Sequence, residues 1–157
     1  MLKPLSLMTD LKYNRERLGY RLGQTARLWR AEVDRRLSPH GLTESRWRLL
    51  LALHKAEHPM HQKELAELLG VQGPTLVRSL DWLENERLVE RRSQNGDKRC
   101  KSIHLTPRAE PSLERIKAVV ESVREEIFEG IDPADIDTCL SVIDRLASKL
   151  SAANETA

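Results

Sequence analysis

Between Asn14 and Leu37, apolar residues recur at Leu18, Leu22, Ala26, Trp29, Val33 and Leu37, in steps of three and four. That spacing lays one stripe along a helix and does not fit the two-residue alternation of a half-buried strand. Pro39 and Gly41 end it. Thr43 is placed to cap a second helix that turns Trp47, Leu50 and Leu51 inward and stops before Pro59. A third, short helix is predicted over about 61–69, with Leu65, Leu68 and Leu69 buried and Gly70 in the left-handed conformation that closes it. Pro74 suits the first turn of a fourth helix, whose Leu76, Leu80 and Leu83 fall about one turn apart. Short helix, tight turn over 70–73 pinned by Val71, second helix: this is the helix-turn-helix pattern.

After Leu88 the period changes. Residues 88–93 and 100–106 read as extended, with Ile103 and Leu105 alternating with Ser102 and His104. Between them, Gln94-Asn95-Gly96-Asp97-Lys98 contains an Asn-Gly reversal. The hairpin so formed has a charged tip and follows the helix pair directly. The fold class is therefore mainly α (α+β), a winged helix-turn-helix. Thr106-Pro107 opens a fifth helix carrying Leu113, Ile116, Val120, Val123 and Ile127 as far as Gly130, and Pro111 predicts an irregular first turn. Asp132-Pro133 opens a last helix with Ile136, Leu140, Ile143, Leu146 or Ala147, and Leu150 in line, fraying beyond Ala152. The winged region spans 43–106, flanked by end helices over 14–40 and 107–152. Their stripes exceed what one small core covers, so a homodimer with the ends interdigitated is expected. The alternative is a helical cap folded back on a monomer.

Composition narrows the class. With 157 residues, 39% hydrophobic and 32% charged, the chain has material for one aliphatic core under a heavily charged surface. No apolar run approaches the roughly 18 residues of a membrane span, and Met1 to Met8, a short apolar patch interrupted by Pro4, shows no long h-region or cleavage site. Cys100 and Cys139 form no motif. The expectation is a soluble cytoplasmic protein. The net charge of +2 hides a division. Residues 15–48 carry nine Arg against four acids, 87–108 seven basic residues against two, and 110–157 eleven acids against five. A basic front and an acidic tail suit a duplex DNA partner once a reading head is in place.

The second helix of the pair should enter the major groove by its N-terminus. Its leading residues are Gln72, Pro74 and Thr75, with Arg78 one turn on. Arg is the commonest bidentate reader of guanine, so Arg78 is expected to read a base. Thr75 suits a phosphate or a thymine methyl. Gln72 either binds adenine or caps the helix. Lys98 and Arg99 sit at the wing tip, where an Arg can lie in the minor groove. Arg91, Arg92 and Lys101 are expected on backbone phosphate. Asp97 would repel phosphate, so its expected role is an internal salt bridge that stabilises the wing. His54, His58 and His61 with Glu57 invite a metal reading, but Pro59 separates them and surface histidines are expected. Cys100, between Arg99 and Lys101, is a candidate reactive thiol. There is no nucleophile elbow, phosphate loop or HExxH, and neither enzyme activity nor a cofactor is expected.

The run Asp97-Lys98-Arg99-Cys100-Lys101-Ser102-Ile103-His104-Leu105-Thr106 resembles the Asp-x-Arg…Leu-Thr signature of MarR-family transcription regulators. Residues 72–84, together with Arg27-Leu28-Trp29-Arg30-Ala31 and Leu42-Thr43-Glu44-Ser45-Arg46-Trp47, are similar to the SlyA branch. The resemblance covers about 18–150. It implies a homodimeric, nucleoid-associated bacterial regulator in which Arg78 reads bases and Arg99 enters the minor groove. It further implies a small aromatic carboxylate effector, such as salicylate, with Arg27 and Arg30 toward the anion and Thr43 and Trp47 toward the ring. Leu51 stands where the SlyA pattern has a histidine. The alternative keeps Trp47 as core and both arginines as solvated or phosphate-facing. An effector-free, architectural DNA binder is the rival function.

Overall fold

Thirty-four residues of continuous helix, α1 (Pro4–Leu37), lead through a 3₁₀ turn (Ser38–His40) into α2 (Glu44–Lys55). Then follow β1 (Met60–His61), α3 (Gln62–Leu69), α4 (Gly73–Asn85), β2 (Val89–Gln94) and β3 (Asp97–Leu105). A second 3₁₀ turn (Pro107–Ala109) precedes α5 (Glu110–Phe128), and α6 (Pro133–Glu155) is last. This computed structural model describes residues 4–94 and 97–155, and side chains over 14–93 and 101–153. The chain divides into two units, Met1–Val123 and Arg124–Ala157.

The first unit is built around one core. Val33 and Leu37 of α1 meet Trp47, Leu49, Leu50 and Leu53 of α2, Leu65 and Leu69 of α3, and Leu76, Leu80 and Leu83 of α4. Met60, Val89 and Ile103 close it from the sheet, Ala109 from the 3₁₀ turn before α5, and Leu113, Ile116 and Val123 from α5. Aliphatic side chains at helical spacing pack as ridges from every side, which is why the sparse aromatic content suffices. Leu68 is a correction: it is 61% exposed. The buried face of α3 centres on Leu65, Ala66 and Leu69, and Leu68 lies roughly 100° round the helix from it.

The helix ends follow their chemistry with three departures. Helix α1 begins at Pro4 and not at Asn14, because a proline at the first helical position starts a helix rather than interrupting it. Thr43 is the N-cap of α2 through its carbonyl, which accepts from the N–H groups of Arg46 and Trp47 at 2.9 and 3.0 Å, while its hydroxyl makes no cap bond. Thr106 does not cap α5. Its hydroxyl donates to the Arg87 carbonyl at 2.5 Å, and the irregular start expected from Pro111 is the 3₁₀ turn over Pro107–Ala109. Gly70 closes α3 at φ +63° as expected. The end of α4 repeats that geometry without a glycine. Arg87 stands at φ +59°, and Leu88 N–H returns to the Leu83 carbonyl at 2.8 Å.

The sheet has three strands in the order β1-β3-β2, all antiparallel. Strand β1, two residues long and not foreseen, pairs Met60 with Ile103 and His61 with Ser102. The wing ladder runs from Val89↔Leu105 to Gln94↔Asp97, with a register irregularity at Ser93/Gln94. Gln94, Asp97 and Lys98 thus belong to the strands and not to the reversal. Asn95 and Gly96 lie outside the described residues. His61 joins the parts: its N–H donates to Glu64 Oε2 at 2.7 Å, and its Nδ1 lies 3.2 Å from the Lys101 carbonyl.

The second unit contains the end of α5, the Gly130 turn and α6. Asp132 caps α6, its Oδ1 accepting from Ala134 N–H at 2.9 Å. Leu140, Val142, Leu146 and Leu150 of α6 stand exposed in the single chain. In the first unit, Leu18 and Leu22 of α1 do the same.

Candidate nucleic-acid interface

The turn between α3 and α4 fixes where α4 points. After Gly70, Val71 N–H bonds the Ala66 carbonyl at 3.0 Å and its side chain packs on the core. Gln72 is the N-cap of α4: its carbonyl accepts from Thr75 and Leu76 N–H at 3.0 and 3.1 Å. Its side chain makes no cap bond and is exposed, so the capping alternative does not hold for it. Leu76, Ser79, Leu80 and Leu83 face inward. Gln72, Pro74, Thr75 and Arg78 are left together on the open side. Arg78 makes no ion pair among the described residues. The buried Ser79 hydroxyl is used internally, donating to the Thr75 carbonyl at 3.2 Å.

Arg91 is a correction. It was expected on phosphate, yet its side chain is only 16% exposed and its guanidinium is held by two carboxylates of α4. Nη2 reaches Asp81 Oδ1 at 2.6 Å and Nη1 bonds Glu84 Oε2, while the Arg91 backbone N–H also donates to Glu84. Burial alone would pull this guanidinium's pKa down; hydrogen bonds to Asp81 and Glu84 outweigh that and hold it above its ordinary value. A cation neutralised twice over is a strap between wing and reading helix, not a phosphate contact. Arg92 is exposed and paired with Glu90, its Nε donating at 2.6 Å. Lys101 is exposed on β3. Asp97, Lys98, Arg99 and Cys100 lie in β3 by their backbone, and their side chains lie outside the described residues.

Trp82, on the flank of α4, carries the Arg46 guanidinium 3.8 Å above its ring, and Arg46 also donates to the Gly41 carbonyl at 2.8 Å. That stacked cation seats α4 on the start of α2. Nothing in a one-dimensional pattern pairs residues 46 and 82.

A second feature lies where α1, α2 and α5 meet. Ala26, Trp29, Arg30, Val33, Trp47, Leu51 and Val120 line an open groove of about 270 Å³. It brings together Arg30 and Trp47 of the expected effector residues, but not Arg27 or Thr43, both of which are exposed elsewhere. Arg27 sits about a quarter-turn of helix off the lining face of α1, and the Thr43 hydroxyl is 3.5 Å from Ser45 Oγ. Leu51 makes that wall apolar. Trp47 is only 6% exposed, and its indole N–H is buried with no hydrogen-bond partner among the described residues. Arg30 Nε contacts Glu44 Oε1 at 3.0 Å. Helix α2 ends at Lys55, so His58 is beyond it, and among the described residues no three metal-ligating side chains come together. Among them, too, no helix is long and apolar enough to cross a membrane.

Known proteins share this architecture. Residues 40–99 match the model of the MarR family. The chain is similar to the transcriptional regulator PA3341, at 44% identity and a TM-score of 0.79, over 85% of this chain and 98% of that one. It shares its fold with apo MarR from E. coli at 22% identity and a TM-score of 0.69, over 82% of this chain and 95% of that one. It likewise shares its fold with CouR from Rhodococcus jostii RHA1 bound to p-coumaroyl-CoA, at 23% identity and 0.70, covering 83% and 91%.

Proposed function

The chain belongs to the MarR family of transcriptional regulators, and from that premise we propose a homodimer that reads a palindromic DNA site under the control of a small aromatic carboxylate. One observation carries the reading: the first turn of α4 is held by its neighbours yet leaves Gln72, Pro74, Thr75 and Arg78 open to solvent on one side. In this reading Arg78 donates to guanine O6 and N7, Gln72 bonds adenine, and Thr75 meets a thymine methyl or a phosphate. Lys101 takes a phosphate, Lys98 and Arg99 extend the grip at the wing tip, with Arg99 in the minor groove, and Asp97 braces the hairpin. Arg91 is withdrawn from the interface. The exposed stripes of α1 and α6 support a two-fold dimer, since apolar helix faces seek cover. The mode of action is SlyA-like, on the resemblance of residues 72–84.

The groove supports the effector part. Arg30 offers the cation and Trp47, Leu51 and Val33 the apolar wall. The orphaned Trp47 N–H is a buried donor whose desolvation an acceptor on a ligand would repay.

The test is selection of bound fragments from random DNA, followed by footprinting with the full chain. The expected result is discrete, palindromic protection. Continuous coating of any duplex at similar affinity would sink this reading in favour of an architectural binder.

A further inference from the structure

Arg30, which lines the groove, does not act alone. Its Nε contacts Glu44 Oε1 at 3.0 Å, and that same oxygen lies 3.4 Å from Nη1 of Arg48. The other nitrogen of Arg48, Nη2, donates to the Leu69 carbonyl at 2.8 Å. Leu69 is the last residue of α3, and its carbonyl is one of those a helix end leaves without an internal partner. Gly70, Val71 and the N-cap Gln72 follow at once, and with them the reading helix. Arg48 also borders a small gap of about 10 Å³ shared with Leu69, Val71, Thr75 and Ser79, so it stands against the turn and the first helical turns that follow it.

We propose that Glu44 is the coupling residue of this regulator, transmitting occupancy of the groove to the helix-turn-helix through a contest for two arginines. The inference rests on the effector reading above and adds how the signal leaves the site. With the groove empty, one carboxylate oxygen is shared, and Arg48 divides itself between Glu44 and the Leu69 carbonyl. A ligand carboxylate on Arg30 competes for that guanidinium and frees Glu44 for Arg48 alone. A charged acceptor outbids a neutral carbonyl, so Arg48 turns from Leu69, the end of α3 loses its partner, and the turn that aims Gln72, Thr75 and Arg78 slackens. DNA affinity falls. By linkage, DNA weakens the ligand by the same factor.

The probe is salicylate, with two readouts on the full chain. Quenching of Trp29 and Trp47, which line the groove, reports ligand binding without DNA. Fluorescence anisotropy reports affinity for the selected site with and without saturating ligand. In the wild type, salicylate is expected to weaken DNA binding roughly tenfold, within the usual span of coupling factors. Glu44→Gln is expected to bind salicylate at least as tightly, since Arg30 is no longer shared, while its DNA affinity changes less than about twofold on adding ligand. Arg48→Lys, which cannot bridge two acceptors in a plane, is expected to bind salicylate like the wild type and to lose the coupling as well. Circular dichroism checks that each variant is folded, and either folded variant suffices. Variants that bind salicylate and keep the full tenfold effect overturn the relay and leave the groove as an effector site. A wild type whose tryptophans do not respond to salicylate overturns the effector reading, and the relay with it.

Discussion

Arg78 and Arg87 make opposite demands on a single side chain. Arg78 projects from the open face of α4 and makes no ion pair among the described residues, so in the proposed reading its worth is realised on DNA. Arg78→Ala is expected to cost about 1–3 kcal/mol on the selected site and to relax discrimination at one base step. Titrations against single-base variants of that site check it, and an equal loss on random duplex would show a phosphate contact instead. Arg87 occupies the left-handed position that ends α4, where a Cβ is penalised. Arg87→Gly removes that strain but gives the unfolded chain more freedom, leaving an expected net gain of about 0.5–1 kcal/mol. Urea denaturation reads it; a loss of stability would mean that the arginine side chain supplies more than its backbone costs.

Wing and reading helix are held as a pair, and here the elements divide the basic residues by job. Arg91→Met is expected to lower Tm by roughly 2–4 °C, the shift that about 1 kcal/mol produces in a chain of this size, and to leave the salt dependence of DNA affinity unchanged. Lys101→Ala is expected to do the reverse: Tm unmoved, and the slope of log affinity against log salt reduced by about one. The order of the helices, the turn at Gly70 and the pairing of the two wing strands were legible in the chain, because each rests on local rules of period, cap and turn. The Asp81–Glu84–Arg91 strap was not, for charge counts treat every arginine as available. Pairing 91 with 81 and 84 needs the hairpin folded back on α4. Strand β1 escaped for a similar reason: two residues carry no period, and Met60-His61 is a strand only because β3 offers Ile103 and Ser102 beside it. The groove was half legible. Trp47 and Arg30 fell within it, while Arg27, three residues from Arg30, faces elsewhere because a helix turns about 100° per residue.

At the scale of the molecule, the exposed leucines are the faces that the proposed dimer would cover. Leu140, Leu146 and Leu150 line α6 at helical spacing, and Leu18 and Leu22 line α1. In the proposed dimer a charge in that seam has no partner, so Leu146→Glu is expected to shift the protein toward monomer in sedimentation equilibrium. The same variant should weaken binding to a two-half-site duplex far more than to a single half-site. A dimer that survives Leu146→Glu unchanged would place the seam elsewhere.

His61 ends β1, precedes α3 and holds a wing carbonyl, and Arg91 straps the wing to α4 through Asp81 and Glu84, so the finger is tied to both helices of the pair. Ties at both places set the gap between wing and α4 from within one chain. In the proposed dimer, an operator with unusual spacing between its halves is then expected to be met by moving the two heads relative to each other and not by opening the gap within either.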